Sequence, residues 1–182
     1  GRKLIAEKTG LKNQLEPYGI ELKQNDKVVL ITAHRRENFG EGIQNICNAV
    51  EYLAKQHPDL HFIWPVHLNP AVHNVVHDKF KSHAQIHLVK PLDYPSLLAV
   101  IDRSTFILTD SGGLQEESPS FNKPVLILRD TTERPEVVEV GAGVLVGTNQ
   151  QKIIEEAEKL LTDSQHYQKM AHVENPDRKS VV

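Results

Sequence analysis

The sequence predicts an α/β domain in which a parallel sheet lies between two layers of helices. Short, continuous apolar runs rich in β-branched residues recur along the chain, as expected for strands covered on both faces. Amphipathic stretches typical of helices lie between these runs. Because strands and helices alternate, we expect βαβ units with right-handed crossovers. The predicted fold class is therefore a Rossmann-like, doubly wound parallel sheet.

The apolar runs predict six strands, at residues 28–32, 61–66, 86–89, 106–109, 125–128 and 144–146. The amphipathic stretches predict five helices, at residues 43–55, 70–80, 94–101, 114–120 and 153–161. The first helix has the clearest buried face, since its apolar residues follow the i, i+3, i+4, i+7 spacing. These residues are Ile43, Ile46, Cys47, Val50 and Leu53.

Composition excludes several classes of protein. The 182 residues are 39% hydrophobic and 25% charged, which argues against a disordered chain and suits one domain over residues 1–182. The net charge of −3 argues against nucleic acid as a partner, and no apolar run is long enough to cross a membrane. Cys47 is the only cysteine, so an intrachain disulfide is impossible and a cytoplasmic setting is expected.

Charged residues follow the first predicted strand, where a ligand of such a sheet would bind. His34 is suited to proton transfer or to donating to a phosphate, and Arg35 and Arg36 are suited to gripping phosphate oxygens. The alternative is a solvated charged turn in which Glu37 pairs locally. His67, after the second strand, is either a ligand contact or a turn residue.

A serine and two glycines follow the fourth predicted strand. Gly112 and Gly113 allow close approach to a ligand, the helix that follows favours an anion, and the Ser111 hydroxyl adds a donor. Glu117 could accept hydrogen bonds from sugar hydroxyls. The alternative is an ordinary helix start in which the glycines ease a tight turn.

A third polar segment follows the fifth predicted strand, with two arginines, two threonines and three carboxylates in residues 129–136. Its simplest alternative is a helix start near Pro135 capped by Thr131 or Thr132. Taken together, the three segments suit a diphosphate linked to a sugar. No metal site is expected, because His73 and His77 could share a helix face but lack a third ligand.

Residues 32–38, 110–117 and 128–136 closely resemble three motifs of the non-hydrolysing UDP-N-acetylglucosamine 2-epimerases, in the same order. The resemblance covers only the C-terminal half of that family, whose members join two Rossmann-like domains in the GT-B arrangement. It implies interconversion of UDP-GlcNAc and UDP-ManNAc by elimination and re-addition of UDP, without a cofactor. The first domain, which carries the carboxylates acting at C2, has no counterpart here, so we expect this chain to be inactive alone.

The resemblance also assigns roles to individual residues. His34 matches the active-site histidine near the diphosphate. Ser111, Gly112 and Gly113 match the diphosphate-binding turn, Glu117 the ribose-binding carboxylate, and Arg134 a nucleotide-sugar-binding arginine. Leu92 and Leu97 match the segment framing uracil, and Arg35 and His67 match residues that hold a regulatory second UDP-GlcNAc. Full-length members are commonly homodimers.

Two alternatives to the epimerase interpretation remain open. One is the nucleotide-sugar domain of a GT-B glycosyltransferase, which the His-Arg-Arg-Glu-Asn segment at residues 34–38 disfavours. The other is a UDP-sugar-binding module without catalytic activity.

Overall fold

A computed structural model describes residues 15–173 of the chain. Parts of the predicted domain, residues 1–14 and 174–182, lie outside the described residues. The six strands are β1 Lys27–Thr32, β2 Leu60–Pro65, β3 Ile86–Val89, β4 Phe106–Thr109, β5 Val125–Ile127 and β6 Gly143–Leu145. The α-helices within residues 15–173 are α1 Glu41–Gln56, α2 Pro70–Phe80, α3 Tyr94–Arg103, α4 Gly112–Ser120, α5 Pro135–Glu139, α6 Gln150–Thr162 and α7 Ser164–Ala171.

The strands form one parallel sheet in the order β3-β2-β1-β4-β5-β6, which confirms the predicted doubly wound class. From β1 the chain proceeds outward through β2 and β3, and then returns to place β4 on the other side of β1. The loops after β1 and β4 therefore diverge, which opens a crevice between them at the carboxyl edge of the sheet.

Both faces of the sheet are buried, and alternate residues of β1 supply the two cores. Val29 and Ile31 pack with the cluster that includes α1, α2 and α6, whereas Val28 and Leu30 pack with the cluster that includes α3 and α4. All four side chains are fully buried. Burial of each such side chain contributes about 1.5–3 kcal/mol, which explains the continuous apolar strands.

The structure differs from the sequence prediction at element ends and in two helices, α5 and α7, which are not among the five predicted. The fourth helix begins at Gly112 instead of Leu114, and β5 ends at Ile127, although Leu128 is buried as well. Helix α7 was not predicted, since its polar sequence has few core positions. It is capped by the side chain of Asp163 and buries Met170. No helix within residues 15–173 is long and apolar enough to cross a membrane.

Candidate functional site

A cavity of about 230 Å³ opens at the crevice between the ends of β1 and β4. Four of the predicted site residues line it: His34, His67, Leu97 and Ser111. The remaining lining residues are Thr32, Ala33, Pro65, Pro91 and Leu114. The structure therefore brings together side chains that follow β1, β2 and β4, as the parallel sheet requires.

The fully buried carboxylate of Asp110 organises the loop after β1. Its Oδ2 accepts hydrogen bonds from the backbone N–H groups of His34 and Arg35, both at 2.9 Å, and from Nδ2 of Asn38 at 3.0 Å. Asn38 also donates to the carbonyl of Leu128 at 3.1 Å, which ties the loop to the end of β5. Neither Asp110 nor Asn38 is among the predicted site residues, although a polar residue such as Asp110 directly after a buried strand is a signal for a role.

His34 is held at the cavity with its side chain 45% exposed. Its Nδ1 lies 3.3 Å from Oδ1 of Asp110. The ring stacks against that of His67, with 6.0 Å between centroids. His67 in turn accepts a hydrogen bond at Nδ1 from the N–H of Asn69. Two imidazoles from neighbouring strand ends thus flank one side of the cavity.

The N-terminus of α4 faces the same crevice. Ser111 is the N-cap residue, and its side chain makes no capping hydrogen bond. A Cβ atom added to Gly112 would meet nothing within 4 Å, and one added to Gly113 would meet only the Ser111 hydroxyl, at 3.8 Å. Neither glycine has a positive φ, and both belong to the first turn of α4, so the helix start that the alternative foresaw is present but has no side-chain cap. Their backbone N–H groups are at the open end of the helix, where an anion is favoured.

Glu117 on α4 and Arg134, immediately before α5, lie outside the lining of the cavity. Oε2 of the half-buried Glu117 accepts from the Tyr94 hydroxyl at 3.5 Å. Arg134 forms an ion pair with Glu116, at 2.6 Å between Nε and Oε1, a partner that the sequence did not indicate. Leu92 does not line the cavity either, and it packs against the core cluster of α3.

Charged residues after β1 and β5 pair with one another. Arg129, only 9% exposed, donates from Nε to Glu37 at 2.9 Å and lies 3.7 Å from Glu133. Arg35 reaches Glu133 at 3.7 Å and donates from Nε to the carbonyl of Asp110 at 3.0 Å. The alternative in which Glu37 pairs locally is therefore wrong, because its partner lies 92 residues away on another loop.

A buried contact joins α4 to the loop that leads to α5. The Thr132 hydroxyl donates to Oε1 of the fully buried Gln115 at 2.5 Å and accepts from the N–H of Arg134 at 3.0 Å. The alternative of a helix start near Pro135 is confirmed, because α5 begins there, but its N-cap residue is Arg134 and not Thr131 or Thr132. Gln115 was not identified from the sequence, where a glutamine in a polar helix is inconspicuous.

His73 and His77 do share a face of α2, with 4.0 Å between ring centroids. Partial burial, and to a lesser extent His73, lowers the pKa of His77. No group of three or more possible metal ligands occurs among residues 15–173.

Comparison with known proteins identifies the family. A family model described as UDP-N-acetylglucosamine 2-epimerase matches residues 3–178. The chain belongs to this family. It is 48% identical over 168 residues to the UDP-N-acetylglucosamine 2-epimerase of Neisseria meningitidis, covering 92% of this chain and 45% of that protein. The Bacillus subtilis epimerase is 48% identical over 151 residues, covering 83% of this chain and 40% of that protein.

Solved structures of family members have the same fold. The Neisseria meningitidis UDP-GlcNAc 2-epimerase bound to UDP-GlcNAc superposes with a TM-score of 0.90 at 45% identity, covering 96% of this chain and 47% of that one. For the Methanocaldococcus jannaschii enzyme in complex with UDP-GlcNAc and UDP, the TM-score is 0.76 at 30% identity, with 96% and 46% covered. The chain therefore spans about half the length of the relatives it matches.

A C-terminal domain of a group 1 glycosyl transferase from Francisella tularensis also superposes, with a TM-score of 0.68 at 19% identity. It covers 91% of this chain and 89% of that domain. At this identity the similarity concerns the fold alone.

Proposed function

We propose that this chain is the nucleotide-binding half of a UDP-N-acetylglucosamine 2-epimerase, which interconverts UDP-GlcNAc and UDP-ManNAc. The observation that carries the proposal is the convergence of His34 with the open N-terminus of α4 at one crevice. The relatives that are named as epimerases, and those solved with UDP or UDP-GlcNAc, support the choice of ligand.

The diphosphate binds at the N-terminus of α4 in this proposal. The backbone N–H groups of Gly112 and Gly113 donate to its oxygens, and the Ser111 hydroxyl, which caps no backbone group, adds a third donor. The open space beside Gly112 supports this arrangement, since any larger residue would fill it. The cavity volume of about 230 Å³ is small for a whole nucleotide-sugar, so the ligand would extend beyond the cavity and across the edge of the sheet.

The rest of the nucleotide follows α4 and the start of α3. Glu117 accepts hydrogen bonds from the ribose hydroxyls, and its position beside Tyr94 is compatible with an exposed sugar. The segment with Leu92 and Leu97 frames the uracil ring, largely through the backbone. Arg134, already paired with Glu116, adds positive charge for the sugar or the phosphates.

His34 stabilises the leaving UDP by charge or by proton donation as the bond between C1 and the diphosphate oxygen breaks. A base must also remove the proton at C2, and the resemblance assigns that task to carboxylates of the family's other domain. Turnover therefore requires the other half, whereas UDP binding does not. Such an enzyme needs no cofactor for this route.

Further features of the whole enzyme belong to the same proposal. Arg35 and His67 hold a regulatory second UDP-GlcNAc, and the stacking of His67 on His34 supports communication with the substrate site. The full-length protein is a homodimer in the cytoplasm. A UDP-sugar-binding module without catalysis is the second candidate, since the crevice at His34 and α4 would serve binding alone equally well.

Calorimetric titration of the chain with UDP tests the proposal, with UMP as the comparison lacking the second phosphate. We expect Ser111→Ala and Glu117→Gln each to weaken UDP binding by about fivefold to fiftyfold, since the first removes a donor and the second removes one acceptor oxygen and the negative charge. Ser120→Ala, at the other end of α4, and Glu155→Gln, on the exposed side of α6, are matched controls. Equal affinity for UDP in all variants would contradict the proposed site.

Adding the first domain of a family member separates the two candidate functions. If the combined halves convert UDP-GlcNAc to UDP-ManNAc while the chain alone only binds UDP, the epimerase function is supported. Binding without turnover in the combined halves would favour the non-catalytic module.

A further inference from the structure

We propose that Asp110 is a positioning residue that fixes the proton of His34 on Nδ1 and turns Nε2 toward the leaving diphosphate. The inference rests on the proposed function for its substrate, but its geometric basis is independent of any ligand. It concerns the two oxygens of one buried carboxylate, which have different environments.

The oxygen Oδ2 holds the backbone of the loop. It accepts three hydrogen bonds of 2.9–3.0 Å, from the N–H groups of His34 and Arg35 and from Asn38. These bonds set the direction in which the chain leaves β1. Because these three bonds occupy the lone pairs of Oδ2, this oxygen cannot also accept a hydrogen bond from the His34 ring.

The oxygen Oδ1 is in the opposite situation. It is buried and accepts no hydrogen bond of good geometry from the described residues, yet Nδ1 of His34 is only 3.3 Å away. A buried carboxylate oxygen without a donor is costly, so a proton on Nδ1 is strongly favoured over a lone pair there. Asp110 thus selects the Nδ1–H tautomer of the neutral ring.

The selected tautomer determines what the opposite ring nitrogen can do. With Nδ1–H directed to Asp110, Nε2 is on the far side of the ring, and His34 lines the cavity. When Nε2 also carries a proton, Nε2–H can donate to the diphosphate oxygen. As the C1–O bond breaks, its electron pair goes to that oxygen and the Nε2 proton can follow, and re-addition of UDP returns the proton to Nε2.

Substitution of Asp110 by asparagine separates the role of Oδ2 in holding the loop from the role of Oδ1 in selecting the His34 tautomer. The amide oxygen can still accept the three donors at the Oδ2 position, so the loop should fold. The amide NH₂ then faces Nδ1 of His34 and donates to it, which forces the neutral ring into the Nε2–H tautomer and leaves no lone pair on Nδ1 for a second proton. A structural role alone would leave the tautomer unchanged.

The test is nitrogen NMR of the ¹⁵N-histidine-labelled chain, with the His34 signals assigned by their loss in His34→Gln. Without UDP, we expect the neutral His34 ring of the unsubstituted chain to carry its proton on Nδ1, and that of Asp110→Asn to carry it on Nε2. With UDP bound, both nitrogens should be protonated in the unsubstituted chain, whereas Asp110→Asn should keep Nε2–H alone. UDP affinity should fall about tenfold, the difference between a charge-assisted and a neutral hydrogen bond.

Controls keep this inference distinct from the proposed function. Asp163→Asn changes a carboxylate that caps α7, far from the crevice, and should alter neither tautomer nor affinity. An Nε2–H tautomer in the unsubstituted, ligand-free chain would overturn the inference without any variant, even if Asp110→Asn fails to fold. If the chain does not bind UDP, the proposed function is overturned. The positioning role of Asp110 is still tested in that case, because the tautomer of His34 is measured in the free chain.

Discussion

Thr32 and Thr109 lie opposite each other in the register of β1 and β4, and their hydroxyl oxygens are 2.5 Å apart. The same Thr109 oxygen accepts from the backbone N–H of Ser111 at 2.9 Å. One hydroxyl pair therefore joins the two strands where their loops diverge, and it also sets the backbone immediately before α4. The Ser111 N–H is consequently satisfied by protein, which leaves the N–H groups of Gly112 and Gly113 for an anion.

Replacing Thr109 by valine should weaken UDP binding as well as stability. Valine has the same shape but leaves the Ser111 N–H without its acceptor, so we expect a loss of about 1–3 kcal/mol in the free energy of unfolding. Urea unfolding and calorimetry measure the two effects. Thr32→Val removes the shared hydroxyl contact but keeps the Ser111 acceptor, so its effect on UDP affinity should be smaller. If Thr32→Val weakens UDP binding as much as Thr109→Val does, the hydrogen bond from the Ser111 N–H to Thr109 does not explain the loss of affinity.

Gln115→Leu should separate stability from ligand affinity. The substitution deletes the acceptor for Thr132, but it also removes a buried Nε2 that has no partner among the described residues. These effects oppose each other, so unfolding free energy should change by less than about 1 kcal/mol. The loop that carries Arg134 loses its anchor, and affinity for UDP-GlcNAc should fall about threefold to tenfold.

Thr132→Val is the comparison for Gln115→Leu. It removes the hydroxyl that donates to Gln115 and accepts from the Arg134 N–H. It leaves Oε1 as well as Nε2 of the buried Gln115 without a partner, so it should destabilise the fold more than Gln115→Leu. The reverse order of unfolding midpoints would contradict this account of the contact.

Stability should fall as the pH drops from about 6.5 to about 4, in part because of His87. Burial, with smaller contributions from His61 and His83, lowers the pKa of His87 from 6.5 to about 4. The unfolded chain therefore binds more protons than the folded chain between these values, and its free energy falls relative to that of the folded state as acid is added. Above about pH 6.5 both states have a neutral His87, and this contribution is constant.

His87→Gln should reduce that pH dependence. Nε2 of His87 lies 2.9 Å from Nδ1 of His61, and a glutamine amide can reproduce this bond without titrating. Between pH 7 and pH 4.5 the variant should lose about 1–2 kcal/mol less stability than the unsubstituted chain, allowing for the partial exposure of the ring. His172→Gln, an exposed position after α7, should leave the profile unchanged. Urea unfolding of each variant and of the unsubstituted chain between pH 7 and pH 4.5 measures these changes in stability.

The thiol of Cys47 should be unreactive until the protein unfolds. It is fully buried in α1, and burial raises the pKa of its thiol to about 12. At pH 8 a reagent therefore cannot reach the sulfur of Cys47, and almost none of the thiol is in the reactive thiolate form. A disulfide-exchange reagent should react with less than about one tenth of the native chain in an hour and with all of it in denaturant. Rapid reaction of native protein would contradict the burial of α1 against the sheet.

The buried elements were predictable because their chemistry is local. Continuous β-branched runs identify strands covered on both faces, and the spacing of Ile43, Ile46 and Val50 identifies one buried helix face. Helix α7 was missed because Met170 and Ala171 are its only buried residues, too few for a periodic signal. The start of α4 was misplaced because Gly112 and Gly113 have low helix propensity, which tertiary position overrides.

By itself, the sequence determined the parallel sheet and the candidate residues at its carboxyl edge, because strand periodicity and the residues after each strand are local properties. Only the tertiary structure decided how those residues pair. Asp110 with His34, Glu37 with Arg129 and Gln115 with Thr132 join different segments. The strand order brings their loops together, and no local pattern encodes a contact between side chains 17 to 92 residues apart.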